Sequence, residues 1–225
     1  MRLVVTHPAL EGAAAPPGGA DAGEHALGVA RERDALLHLP TRLPTPAPLL
    51  VLLHGAGGDA RGMLRMVRGV AEERGVVLVA PQSRAPTWDL VLGRTDRDAE
   101  LLDAALAAAA NRVAVDPAHL ALGGFSDGAS YALSLGLARG APFTHLVAFS
   151  PGFAAPVALS GAPPVFVSHG TADSVLPIAR CSRRIVPRLR ALGLDVTYLE
   201  FDGGHAVPAE VARDALAWWL APRPQ

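Results

Sequence analysis

Short unbroken apolar runs alternate along this chain with longer stretches in which apolar residues recur every three or four positions. Leu49–Leu53, Val76–Ala80, His119–Gly123, His145–Phe149, Val165–His169 and Val196–Phe201 are of the first kind, bounded by Pro, Gly or polar residues. Such runs suit strands buried on both faces of a sheet. The second kind predicts helices over about Ala60–Arg74, Asp98–Arg112, Asp127–Arg139, Ile178–Leu192 and Ala209–Leu220. The regular alternation is that of repeated βα units, and parallel neighbours need crossover connections. An α/β architecture follows, with a mostly parallel central sheet and helices on both faces. No internal repeat or composition break divides the chain, which predicts a single domain over residues 1–225.

Two stretches interrupt the pattern. Residues 8–23 are Ala/Gly/Pro-rich without periodicity, as expected of a surface loop joining two early strands, and a Pro-rich segment from Pro40 to Pro48 punctuates the chain before Leu49. No apolar run approaches the ~20 residues a membrane span needs. The first residues lack the apolar block of a signal peptide, so a cytoplasmic location is expected.

Composition then removes whole classes of function. Half the 225 residues are hydrophobic and 18% are charged, and the 20 basic residues against 21 acidic ones leave a net charge of -1. That balance offers no electrostatic footprint for nucleic acid or an anionic membrane. All the basic residues are Arg. The absence of Lys excludes a Walker A lysine, a Schiff-base lysine and a Ser-x-x-Lys nucleophile pair. The single cysteine, Cys181, excludes an internal disulfide and a cysteine-based metal cluster.

Gly124-Phe125-Ser126-Asp127-Gly128 stands directly between a predicted strand and a predicted helix. A G-x-S-x-G turn in that setting holds a serine in a tight, strained conformation and presents its hydroxyl above the sheet edge. The following helix aims free N–H groups and its positive dipole end at the same place. The alternative is a Gly-rich turn whose Ser merely caps the helix.

A serine hydroxyl is a poor nucleophile at neutral pH and needs a base that is itself oriented by an acid. Asp173 follows the strand Val165–His169, and His205 follows the strand Val196–Phe201, both at ends where α/β sheets place functional groups. Asp173 could instead cap the next helix. Asp202, three residues before His205 in one loop, is the competing acid. His54 and His169 end predicted strands near the site and read as structural hydrogen-bonders rather than metal ligands; no metal site is expected.

After Leu53 comes His54-Gly55-Ala56-Gly57-Gly58-Asp59. Small residues there would let the main chain approach a reacting carbonyl, with the N–H groups of Ala56 and Asp127 forming the oxyanion hole. The same segment satisfies G-x-G-x-x-A, a dinucleotide fingerprint. That reading requires a carboxylate after the next strand, where Pro81-Gln82-Ser83 stands instead.

Together, His54-Gly55, the turn around Ser126, His169-Gly170-x-x-Asp173 and Gly204-His205 resemble the phospholipase/carboxylesterase family, the acyl-protein-thioesterase-like branch of the α/β-hydrolases, from about Leu49 onward. The resemblance implies an α/β-hydrolase fold without a large cap domain. It also implies a cofactor-free serine esterase acting on small-molecule esters through Ser126, His205 and Asp173. Where many members carry Gln-Gly-Gly after the nucleophile, this chain has Asp127-Gly128-Ala129, which sets a carboxylate beside Ser126.

Trp88, Val175 and Leu176 are candidates for the acyl pocket, with core packing as the alternative. The arginines from Arg180 to Arg190 read as a solvated helix face before an anion-binding patch, Cys181 as a small packed residue, and Trp218-Trp219 as anchors of the last helix. A thioesterase, lysophospholipase or serine peptidase of the same fold and a non-catalytic binding module are the competing functions. A monomer or homodimer is expected.

Overall fold

The structure is a computed structural model that describes residues 21–92 and 97–222. Its elements in chain order are β1 (Gly23–Ala26), β2 (Leu36–Leu39), β3 (Ala47–Leu53), α1 (Ala60–Arg74), β4 (Val77–Ala80), α2 (Arg97–Ala110) and β5 (Val115–Phe125). There follow α3 (Asp127–Arg139), β6 (His145–Phe149), β7 (Val165–Gly170), α4 (Ser182–Ala191), β8 (Val196–Phe201) and α5 (Ala209–Leu220). The eight strands form one sheet in the order β1-β2-β4-β3-β5-β6-β7-β8. Strands β4, β3, β5, β6, β7 and β8 are mutually parallel; at one edge β2 pairs antiparallel with β4, and β1 pairs antiparallel with β2.

Side chains on β3 alternate between two cores, as the period of a strand dictates. Leu49, Val51 and Leu53 join a cluster with α2, α3 and α4, whereas Leu50 and Leu52 join α1 and α5 on the opposite face. Both faces are covered, which is why these strands read as continuous apolar runs. Asp59 caps α1 by accepting from the Gly62 N–H, and Gly75 ends that helix with φ 66°.

Three elements depart from the pattern-based expectation. Residues 8–20 of the anticipated loop lie outside the described residues, and its last residue, Gly23, begins β1. The pair β1 and β2 is joined by residues 27–35, where Asp34 accepts from the N–H groups of Gly28, Val29 and Ala30. Strand β5 starts four residues before His119, because Val115 pairs with Ala47 ahead of a register shift. Within this early part of β5, Asp116 Oδ1 accepts from the Ala118 N–H at 2.9 Å. Helix α4 begins at Ser182 rather than Ile178, since residues 177–181 close in tight turns on the Pro177 carbonyl.

Candidate active site

The site lies at the C-terminal ends of the parallel strands. Ser126 follows β5 with φ 58° and ψ −122°, and its N–H donates to the Phe149 carbonyl at 2.9 Å. That conformation is costly for a non-glycine residue and persists only where the surroundings impose it. A Cβ on Gly124 would meet the Gly128 backbone and the Leu53 carbonyl oxygen, and one on Gly128 would overlap the Leu53 and His54 carbonyl oxygens. The glycines therefore allow the start of α3 to press against the end of β3.

Ser126 is 8% exposed. Its Oγ lies 2.9 Å from His205 Nε2, and His205 Nδ1 lies 2.6 Å from Asp173 Oδ2. Loop residues 203–205 reach this position because Gly170 has no side chain; a Cβ there would collide with the Gly203 and Gly204 carbonyl oxygens. The Phe125 ring packs against the His205 imidazole with centroids 4.6 Å apart. Asp173 is buried, which opposes its ionisation, yet the Leu176 N–H, His205 and the Val175 N–H together hold its carboxyl below the usual carboxylate range. Asp202, the competing acid, is exposed.

The loop after β3 is fastened from behind. Its Gly58 N–H donates to the Gly55 carbonyl at 3.0 Å, Gly57 has φ 68°, and the Gly57 N–H donates to the Pro86 carbonyl at 2.7 Å. His54 Nδ1–H donates to the Gly55 carbonyl at 2.8 Å while its Nε2 accepts from the Ser83 N–H at 3.1 Å. Burial pushes His54 towards its neutral form, which this pairing needs. Gln82 links the same loop to the start of α1 by accepting from the Ala60 N–H and donating to the Gly58 carbonyl. The Asp127 N–H belongs to the first turn of α3, where amides have no intrahelical acceptor. Gly55 sits so close that a Cβ on it would be 3.1 Å from Ser126 Cβ.

Trp88 packs in the interior. Its side chain is wholly buried, stacks on Tyr131 with centroids 5.3 Å apart, and donates from Nε1 to the His54 carbonyl at 2.8 Å. An irregular loop lacks the periodicity that would have distinguished such a buried indole from an exposed one. Leu176 is half-buried against Gly152, and Val175 is 63% exposed. Their backbone amides have a role that sequence reasoning missed, as the two donors to Asp173 Oδ1. Thr87, also missed, donates to Asp127 Oδ2 at 2.8 Å. Arg180, Arg183, Arg184, Arg188 and Arg190 are all exposed, and Arg183 forms a two-bonded pair with Glu200. Cys181 and Trp219 are buried, and Trp218 packs against Phe166. Among the described residues, no cluster of His, Cys, Asp or Glu is arranged to hold a metal ion, and no helix is long and apolar enough to cross a membrane.

The sheet order, the helices on both faces and a serine on a strained strand-to-helix turn define an α/β-hydrolase. The family model of phospholipases and carboxylesterases matches residues 92–218, and the chain belongs to that family. Among solved structures, esterase PE8 is 28% identical with a TM-score of 0.65, over 81% of this chain and 95% of that one. The Bacillus cereus carboxylesterase shares the fold at 21% identity and a TM-score of 0.65, over 84% and 94% of the two chains. TT1662 from Thermus thermophilus does so at 22% identity and a TM-score of 0.58, over 88% and 96%. No curated protein matches the chain.

Proposed function

We propose that this protein is a serine carboxylesterase that hydrolyses small-molecule carboxylic esters through an acyl-enzyme on Ser126. The observation that carries the reading is the unbroken run of contacts from Ser126 Oγ to His205 Nε2 at 2.9 Å and from His205 Nδ1 to Asp173 Oδ2 at 2.6 Å. His205 accepts the Ser126 proton as Oγ attacks the ester carbonyl, and then gives it to the departing alkoxide. A water molecule, deprotonated in the same way, attacks the acyl-enzyme and releases the acid, and Ser126 Oγ recovers its proton. Asp173 keeps the Nδ1–H of His205 pointed at itself, which leaves Nε2 free to act as the base. The Ala56 and Asp127 N–H groups stabilise the oxyanion, each worth about 3 kcal/mol of barrier. Trp88 supports the loop from below, whereas Val175 and Leu176 border the acyl side. The enzyme acts without a cofactor as one cytoplasmic domain, monomeric or dimeric.

Treatment with a fluorophosphonate followed by mass spectrometry tests the reading. An adduct on Ser126 is expected, together with loss of ester hydrolysis in Ser126→Ala; hydrolysis that survives that substitution would defeat it. A series of nitrophenyl esters of increasing acyl length, run beside an acyl thioester and a peptide amide, separates the esterase from a thioesterase or peptidase. Silence across the panel without labelling would mark a binding module.

A further inference from the structure

His169 has no step in the proposed reaction, yet it is held at both ring nitrogens. It lies near the end of β7 with no accessible surface. Its Nε2 is 2.7 Å from the Leu176 carbonyl oxygen and 3.2 Å from Asp173 Oδ2, and its Nδ1 is 2.7 Å from Ser182 Oγ. A carbonyl and a carboxylate can only accept, so Nε2 carries the hydrogen and the Ser182 hydroxyl donates to Nδ1. Burial favours the neutral ring, against the pull of the Leu176 carbonyl and Asp173. The other titratable groups around this cluster are His205, Cys181 at the start of α4, and Glu200, which pairs with His169 across β7 and β8. Leu176 is thus gripped at both ends, its N–H by Asp173 Oδ1 at 2.8 Å and its carbonyl by His169.

We propose that His169, keyed by Ser182, is a positioning residue that fixes the Asp173–Leu176 turn and thereby the direction in which Asp173 presents Oδ2 to His205. The inference rests on the esterase reading of the site. Asp173 Oδ2 faces two imidazoles, while Oδ1 takes two backbone donors. A carboxylate anchored on both oxygens cannot swing, and the histidine it orients keeps its tautomer. Without the grip on the Leu176 carbonyl, the turn can rotate and carry both backbone donors away from Asp173.

His169→Gln and His169→Asn separate positioning from mere packing. The Gln amide reaches the place of Nε2 and can still donate to Leu176; the Asn amide stops near Nδ1 and cannot. In the Asn variant kcat is expected to fall about 10-fold or more with KM within about twofold, as for other orienting partners. The low-field proton resonance of the His205–Asp173 hydrogen bond should move with it. The Gln variant should recover most of the lost kcat. A wild-type kcat in His169→Asn, or equal losses in both variants, would overturn the inference. If the Asn variant does not fold, Ser182→Ala decides: a lowered kcat with a moved resonance supports the role, and an unchanged kcat and resonance overturn it. Fluorophosphonate labelling of the wild-type protein keeps the two levels apart. No adduct on Ser126 defeats the esterase reading, whereas labelling alongside an insensitive His169→Asn defeats this inference alone.

Discussion

Thr87 Oγ1 donates to Asp127 Oδ2 across 2.8 Å, which fastens the loop between β4 and α2 to the first residue of α3. Its neighbours extend the grip, Pro86 through the Gly57 N–H and Trp88 through the His54 carbonyl. Three consecutive residues therefore tie together the two backbone segments that supply the proposed oxyanion donors. Thr87→Val, nearly isosteric, removes only the middle tie, and kcat/KM for a nitrophenyl ester is expected to fall about 10-fold, less than the loss of a whole donor. Asp127→Asn keeps an oxygen to accept from Thr87 but removes the charge. The ratio of kcat/KM for a succinate monoester over that for a butyrate ester should rise about 5-fold, the size of one screened like-charge repulsion.

The Gly128 contact with the end of β3 gives a stability prediction. An added methyl would overlap two main-chain oxygens, those of Leu53 and His54, and neither is the end of a flexible side chain that could move aside. Gly128→Ala is expected to cost about 3 kcal/mol or more, seen as a drop in the thermal midpoint of roughly 6–12 °C. Gly69→Ala on the exposed side of α1, where nothing stands within 4 Å, is the control. It should leave stability unchanged or raise it by up to about 1 kcal/mol.

The parallel framework was legible in the sequence because burial on both faces leaves no polar alternation to confuse the pattern. Strand β1 was not, since Gly23–Ala26 is half-exposed and carries Glu24 and His25, so its pairing is dictated by the sheet edge rather than by local residues. In the site, Ser126, Asp173 and His205 each stand just past a strand, a position the alternation itself reveals. The partners that fix them were hidden for a physical reason. Val175 and Leu176 hold Asp173 with backbone N–H groups, which every residue but proline has, and Ser182 reaches His169 only because the chain turns back between β7 and α4.

The choice between the two acids near His205 follows from the same contacts. Asp173 is buried and touches the imidazole at 2.6 Å, whereas Asp202 is exposed in the loop before it. Asp173→Asn is expected to lower kcat by about 10,000-fold, because an amide can hold the imidazole in the wrong tautomer. Asp202→Asn should stay within about twofold of the parent, as expected of a surface position. Steady-state kinetics on one soluble ester checks both, and a large loss confined to the Asp202 variant would reverse the assignment.

Acid stability follows from three buried imidazoles. Burial lowers the pKa of His38, His54 and His169, with Glu72 opposing it at His38, the Gly55 carbonyl at His54 and the Leu176 carbonyl at His169. The unfolded chain takes up these protons near pH ~6.5 and the folded chain does not. Their contribution to stability is therefore complete above that pH and is lost as the pH falls towards the lowered folded values, by up to about 1.4 kcal/mol per pH unit for each group. Asp173, held below the usual carboxylate range, adds a further loss at lower pH. Asp98 acts in the opposite sense: burial raises its pKa above that of an ordinary Asp despite the Arg84 and Asp89 N–H donors, so the folded state takes up that proton first. Urea unfolding between pH 7.5 and 5 should show the midpoint dropping steadily. His38→Gln, remote from Ser126, should flatten the slope by one proton, and an unaltered slope in that variant would show that His38 is already protonated in the folded protein.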